Sequence, residues 1–517
     1  MSNVLLKFSG QLAKTDPSQN PVLIVGQLRH LTKVKYDLLK LKLEPRVSEE
    51  TYTAAVNNLM PSPTDSCSLW LTNATIAALP SKCSRHNTPS RAHSLTRIIR
   101  SCIVGGDEYI VIICEKNDVF ASACAAARAF PLFSRKSNLI TNKRTVTVEF
   151  VLVNGGDSTL TDEDVSCLTD ACLAIRKAAR ITDSPCAEMH TRTFLEEVRD
   201  VGRELNIEPT VIIGEELREK GFGGLYGVGK AATNPPMLLV LSHMPEGATK
   251  TIAWVGKGIM YDTGGLSIKG KTTMPGMKRD CGGAASVLGA FQATVKQGFT
   301  DNLHAIFCLA ENAVGPESLR PDDILTLYSG RTVEVSNTDA EGRLVLGDGV
   351  AYAVKDLKAE IIVDLATLTG AQGLATGRFH GAVISNNEDW ESHCVVSGQL
   401  SGDLVHPLVY CPELHFNEFA SAVADMKNSS ADRSNAEVSC AGLFIASHVG
   451  FYFPGSWVHI DMAYPVYSGE RATGYGVALL MVLFRKESRS KLLQSLSFPT
   501  IDGMVNEESA SKKIRLS

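Results

Sequence analysis

The densest chemistry in this 517-residue chain lies in the octapeptide Asn337-Thr338-Asp339-Ala340-Glu341-Gly342-Arg343-Leu344. Two carboxylates stand two residues apart, with a guanidinium two residues further on. Hard oxygen donors of this kind suit a divalent cation when several converge. Taken alone, the octapeptide also fits an ordinary helix start, where acids complement the positive end of the helix dipole. A second stretch shifts the balance. Lys257-Gly258-Ile259-Met260-Tyr261-Asp262-Thr263-Gly264-Gly265-Leu266-Ser267-Ile268-Lys269 is followed eleven residues later by Asp280, then by Gly282-Gly283. Lysines and aspartates alternate here in a glycine-rich frame, where tight backbone turns can gather them. Together the stretches supply four carboxylates (Asp262, Asp280, Asp339 and Glu341) and two lysines (Lys257 and Lys269). No His-x-x-x-His or Cys-x-x-Cys pair accompanies them, which argues against a His/Cys zinc site. A carboxylate-dominated two-metal centre fits better.

Such residues need a scaffold that converges them. Residues 332–335 alternate polar and apolar as a half-buried strand does, and 344–354, rich in Leu, Val and Ala, predict a helix after Gly342. Around them, a helix over 193–205 and strands over 209–213, 238–242, 251–255, 302–310 and 360–364 alternate with Ala-rich helical segments. This pattern predicts an α/β fold with a mostly parallel sheet flanked by helices. Ligands gather at the carboxyl ends of such strands, where Lys257 and Asp339 are expected. Earlier in the chain, strands over 21–26, 109–114 and 145–153 and an Ala-rich helix over 124–130 predict a smaller α/β unit with no acidic cluster. Residues 162–180, acidic first and basic last, read as a connecting helix, ended by Thr182-Asp183-Ser184-Pro185. The expected division is 1–160 for the N-terminal domain, 161–182 for the connecting helix, 183–488 for the catalytic domain and 489–517 for a polar, partly disordered tail.

The two site stretches resemble the signatures of the leucyl aminopeptidase family, the cytosolic dinuclear metallo-exopeptidases, and the similarity spans roughly 183–484. Within it, Cys411-Pro412-Glu413-Leu414-His415-Phe416 resembles the family's animal aminopeptidase-like branch. The resemblance implies removal of the N-terminal residue from peptides with a free N-terminus, through a hydroxide bridging two divalent ions (Zn²⁺ or Mn²⁺, with Mg²⁺ also compatible). By the same resemblance Asp262 and Glu341 bridge the ions, Asp280 and Lys257 complete one site, and Asp339 serves the other. Lys269 is expected to polarise the carbonyl or stabilise the oxyanion, and Arg343 to hold bicarbonate. The backbone of Thr367, Leu368 and Gly370 is expected to line the substrate, and Met277 its side-chain pocket. A homohexamer in the cytoplasm is implied too. Three departures stand out: Thr263 where the family has Ser, Cys281 where Met is usual, and Tyr464-Pro465 where Gly and a small apolar residue are usual. The last alters the pocket region and motivates a second reading, a catalytically weak scaffold that kept the fold.

Composition sets outer bounds. An apolar fraction of 44% and a charged fraction of 21% are those of a soluble globular protein. A net charge of -5 and a pI near 6.2 give no general pull toward nucleic acid or anionic membrane. The first twenty residues lack the pattern of a signal peptide, and no run of 18 apolar residues occurs. Thirteen scattered cysteines read as reduced thiols. Gly224-Leu225-Tyr226-Gly227-Val228-Gly229-Lys230 matches the start of a phosphate-binding loop, but Ala231 lacks the hydroxyl that would hold Mg²⁺ and Pro235-Pro236 follows closely. A glycine-rich turn packed on the sheet is the expectation there.

Overall fold

The computed structural model describes residues 4–137, 143–153 and 159–497. Of the expected tail 489–517, residues beyond 497 lie outside the described residues; before them, helix Lys491–Ser495 buries Leu492 and Leu493 in the main core, so the ordered fold runs past 488. Two sheets carry the fold. The first has six strands in the spatial order Val4–Ser9, Arg144–Leu152, Glu108–Cys114, Val22–Gln27, Ala74–Leu79, Asp65–Trp70, parallel except for the last pair. Its centre is the apolar run Val22–Gln27, buried along its whole length as a covered parallel strand must be. Val4–Ser9, Asp65–Trp70 and Ala74–Leu79 were not among the expected strands.

The second sheet has eight strands in the order Val405–Pro407, Gly381–Ser385, Ser456–Asp461, Ile361–Ala366, Thr251–Asp262, Asn302–Asn312, Met237–His243, Thr210–Ile213. The four from Ser456–Asp461 to Asn302–Asn312 are parallel, and antiparallel pairs lie toward both edges. The mostly parallel sheet is thus present. Its central strand differs from expectation: Thr251–Asp262 runs for 12 residues, and its partner Ile361–Ala366 for only 6. Pairing of Leu365 with Gly256 leaves 257–262 projecting past the end of that neighbour. Lys257 therefore sits on extended backbone rather than in a tight turn. A Cβ on Gly256 would lie 2.5 Å from Ala284 Cα, so the absent side chain lets helix Gly282–Lys296 lie directly on the strand.

Three further expectations are corrected. The connecting helix is Asp162–Asp183, opened by a capping box between Thr161 and Asp164. It passes through Thr182 and Asp183 and ends only at Ser184, whose extended backbone (φ -69°, ψ 134°) is the one a residue before proline prefers. The strand before the octapeptide, Thr332–Glu334, belongs to a separate three-stranded sheet with Ile324–Thr326 and Met426–Lys427, so Asp339 does not hang from the main sheet. The Gly224–Lys230 segment is not a turn. All but Lys230 lie in helix Gly223–Gly229, where a Cβ on Gly224 would come within 2.3 Å of Leu344 O, so that glycine serves close helix packing.

The two sheet units share one apolar core that runs from Val148 through Ile175 to Trp254 and Phe484. Half-buried Arg128 reaches buried Asp403 from the first unit, Nη2 to Oδ1 at 2.6 Å. Among the described residues no helix is long and apolar enough to cross a membrane, and all thirteen cysteines are free.

Burial creates one acid liability. His448, on helix Glu437–Val449, is buried with Nδ1 2.7 Å from Ser329 Oγ, and that burial holds its pKa down to about 3. The unfolded chain takes up this proton near pH 6.5, so the stability present above that pH is lost as pH falls toward 3. By pH 5 the loss from this residue comes to about 2 kcal/mol. The urea midpoint of the protein is expected to drop between pH 7.5 and pH 5, and His448→Gln to make that drop smaller.

Candidate active site

The projecting half of Thr251–Asp262 brings Lys257 and Asp262 to the same end of the sheet as the two acidic loops. Lys257 Nζ lies 2.9 Å from Asp280 Oδ1 and 2.9 Å from Glu341 Oε1, and donates to Thr367 O at 3.0 Å. Lys269 Nζ lies 2.7 Å from Asp262 Oδ2 and 2.5 Å from Asp339 Oδ1. Oxygens of Asp262, Asp280 and Glu341 all fall within 4.8 Å of one another. All seven residues expected to bind metal or act in catalysis are described, and the six acids and lysines among them meet in one cluster.

Electrostatics show how uncomfortable that cluster is. Fully ionised, the four acids would exceed the two ammonium groups by two negative charges, and Asp262, Asp280, Glu341 and Lys257 are buried. Burial and the nearby Asp262 push the Glu341 carboxyl up to about 8, against the pull of Lys257. Asp280 and Asp339 are raised as well, burial being the largest cause in each. For Lys257, burial favours the neutral amine, but the Asp280, Glu341 and Asp262 charges outweigh it and hold the ammonium. Asp280 Oδ2 and Glu341 Oε2 are buried with no hydrogen bond. Buried carboxylate oxygens without partners are costly unless a cation takes them. The donor set therefore fits divalent metal ions.

Glycines make the approach possible. A Cβ on Gly342 would lie 2.5 Å from Lys257 Cε, and one on Gly283 would lie 2.1 Å from Leu365 O. A further layer of side chains holds the acids and was not among the predicted site residues. Asn312 Nδ2 donates to Asp262 Oδ1 at 2.8 Å and to Thr338 O at 3.0 Å, tying the two acidic loops together. Thr338 Oγ1 donates to Gly264 O at 2.7 Å. Buried Asp461 accepts from Leu368 N and Thr369 N at 3.1 Å each, fixing the loop expected to line the substrate. Thr338 stands beside Asp339 in the octapeptide itself, whereas Asn312 and Asp461 come from distant segments, so no local spacing marks their link to the site.

Arg343 is placed apart from the six. It is buried, Nη1 donates to Asn428 O at 3.1 Å, and Nη2 lies 3.4 Å from Glu437 Oε1. Its guanidinium thus already has a carboxylate partner, which the sequence did not reveal. Thr367 is predicted to line substrate through its backbone. Its hydroxyl has another task, donating to Asp280 Oδ1 at 2.7 Å. Leu368 is half-buried, and Gly370 is exposed with open space where a Cβ would go. Met277 opens the short helix Met277–Cys281 that carries Asp280, and it is half-buried. The Tyr464 ring crowds Gly373, so the departure at 464 points at the segment following the substrate-lining loop.

The model of the "Cytosol aminopeptidase family, catalytic domain" matches residues 176–481, and that of "M17 aminopeptidase N-terminal domain 2" matches 20–139. The chain belongs to the cytosol aminopeptidase family. It is accordingly a hydrolase of the metallo-aminopeptidase class. The human protein named "Probable aminopeptidase NPEPL1" is 62% identical over 500 residues, covering 96% of each chain. Leucine aminopeptidase 1 of Caenorhabditis elegans is 45% identical over 425 residues, 81% of this chain and 85% of that one. The solved leucine aminopeptidase of C. elegans superposes with a TM-score of 0.89 at 39% identity, covering 94% of this chain and 99% of that one. The leucyl aminopeptidase of Trypanosoma brucei, solved with bestatin, gives 0.82 at 35%, covering 94% and 96%. The expected family, its animal aminopeptidase-like branch and the two-unit α/β fold are all borne out, and nothing in the site or the relatives supports the scaffold reading.

Proposed function

We propose that this aminopeptidase removes the N-terminal residue from peptides at a pair of divalent metal ions. The observation that carries the reading is the convergence of Asp262, Asp280 and Glu341, two of them with buried oxygens that no group among the described residues satisfies. Asp262 and Glu341 would be shared by both ions, Asp280 and Lys257 would complete one position, and Asp339 the other. Bound there, the ions polarise a scissile carbonyl and make a water nucleophilic near neutral pH.

The chain's own groups do the rest. Lys257 must give up its proton to serve as a ligand, because an amine coordinates only when neutral. Lys269 keeps its positive charge between Asp262 and Asp339 and supplies it to the carbonyl oxygen as negative charge develops there. The backbone from Thr367 to Gly370, braced by Asp461, orients the peptide. Met277 helps shape the pocket for the first side chain, and a free N-terminal amine selects exopeptidase cleavage. Arg343 would hold bicarbonate, sharing its guanidinium with Glu437. Oxygen donors with one amine suit Mn²⁺ or Mg²⁺, and the family resemblance adds Zn²⁺.

Residues 1–160 would form the N-terminal domain, joined by helix Asp162–Asp183 to a catalytic domain that continues past 488 through helix Lys491–Ser495, in a cytoplasmic homohexamer acting on peptides rather than nucleic acid. The separate sheets support that division, and a cytosol aminopeptidase model supports the compartment.

The test is hydrolysis of a panel of aminoacyl fluorogenic amides with Mn²⁺, with Zn²⁺ and with chelator. Turnover that needs metal and vanishes in Asp339→Ala is expected; metal-independent turnover, or none on any substrate by a metal-loaded protein, counts against the reading. A milder effect is expected from Thr367→Val, which keeps the shape but removes the hydroxyl that orients Asp280. Partners of this kind are worth about 10–100-fold in metal affinity, measurable by competition with a fluorescent chelator.

A further inference from the structure

A cavity of about 690 Å³ lies between helix Ala92–Cys102 of the first sheet unit and the catalytic unit, and arginines dominate its wall. Arg97 and Arg100 come from that helix, Arg128 from the end of helix Val119–Arg128, and Arg378 from the loop after helix Gln372–Ala375. Only Arg128 is neutralised, by Asp403, the one carboxylate in the lining. Arg100 Nη2 donates to Arg128 O and has no carboxylate in ion-pair reach among the described residues. Arg97 and Arg378 form neither an ion pair nor a hydrogen bond with any described residue. Three uncompensated guanidiniums thus face one space in a chain whose net charge is -5. Two of them lie three residues apart on one helix, where like charges oppose folding. Arg471, from a neighbouring cavity, is itself paired with Asp183 at 2.8 Å, and burial and its charge both lower the pKa of Arg100.

We propose that this cavity is a binding site for a small phosphate-bearing molecule, separate from the peptidase centre. Guanidinium forks pair two-pronged with phosphate oxygens, and several arginines from different elements can divide two phosphates among them. Phe379, 56% exposed at the wall, and Tyr464 add aromatic faces against which a planar ring would stack, so a nucleoside diphosphate fits the chemistry better than a bare anion. A ligand held by Arg97 and Arg378 would fasten the two units together. It would also lie beside Tyr464, whose backbone N–H donates to Gln372 Oε1 at 2.9 Å, next to the substrate-lining loop.

Isothermal titration of the full-length, metal-loaded protein with ADP, pyrophosphate and adenosine tests this. Binding of ADP and of pyrophosphate is expected, weakening as salt rises, with ADP the tighter and adenosine silent. Arg97→Ala with Arg378→Ala should weaken both ligands at least tenfold. Both side chains are exposed, so the variant should melt like the parent. It leaves the acidic cluster intact, so any capture of phosphate by the site metals would persist in it. No binding at low salt, or equal binding by the double variant, would overturn the proposal. Turnover plays no part in the readout, so failure of this site and failure of the peptidase reading are separable.

Discussion

Lys269→Ala is expected to lower kcat by about 10²–10³-fold with KM changed little, the loss typical of a single group that stabilises a developing oxyanion. Lys269 bridges Asp262 and Asp339, yet its side chain retains 15% exposure, so it has an open side toward an incoming substrate. Burial alone would favour its neutral form. The Asp262 and Glu341 charges and the hydrogen bonds to Asp262 and Asp339 reverse that and keep the ammonium charged across the working pH range. A permanently charged group is a poor general base and a good electrostatic stabiliser. The kcat of Lys269→Ala should therefore be low at every pH, rather than shifted along the pH axis. Steady-state kinetics from pH 6 to 9 on the metal-saturated variant check this. A loss below about fivefold, with metal content unchanged, would leave Lys269 only the task of pairing acids.

Glu341→Gln is expected to separate activity from stability. It should reduce kcat/KM by at least about 10³-fold, since a bridging carboxylate holds both ions whose joint action supplies the chemistry. It should also lower the metal retained after gel filtration. In chelator-treated protein the sign reverses. The Glu341 pKa of about 8 in the fold lies above its value of 4.5 in a model peptide. Folding therefore favours the proton: the contribution to stability is full below about pH 4.5 and lost as pH rises through 8. A neutral amide of the same shape removes that penalty and one of the four crowded charges. Metal-free Glu341→Gln should melt a few degrees above the metal-free parent at pH 8, and the gap should shrink at pH 5. Calorimetry at the two pH values decides it. A variant that melts lower at both would mean that the ion pair with Lys257, not metal, is what Glu341 is there for.

The types and spacing of the site residues were legible because they lie in two short stretches. Asp339-Ala340-Glu341 and Lys257 to Asp280 each present acids within a few turns of backbone, and acids so concentrated point to a cation before any fold is known. The alternation of apolar strands and Ala-rich helices likewise determined a layered α/β architecture, since a sheet covered on both faces needs continuous apolar strands. The reach of the central strand was not legible. Gly258 read as part of a frame of tight turns, yet it lies within the strand, where a Cβ would meet Leu309 of the neighbouring strand, and at Gly256 the absent side chain admits helix Gly282–Lys296. Nor could the sequence show that Asn312 and Thr367 hold Asp262 and Asp280, or that Glu437 partners Arg343 from 94 residues away. It could not gather Arg97, Arg128 and Arg378 around one cavity. Local spacing encodes which ligands a site offers, because neighbours in the chain are neighbours in space. The partners that orient those ligands, and any site between the two units, come from segments far apart in sequence, and only the packing of one sheet unit against the other brings them together.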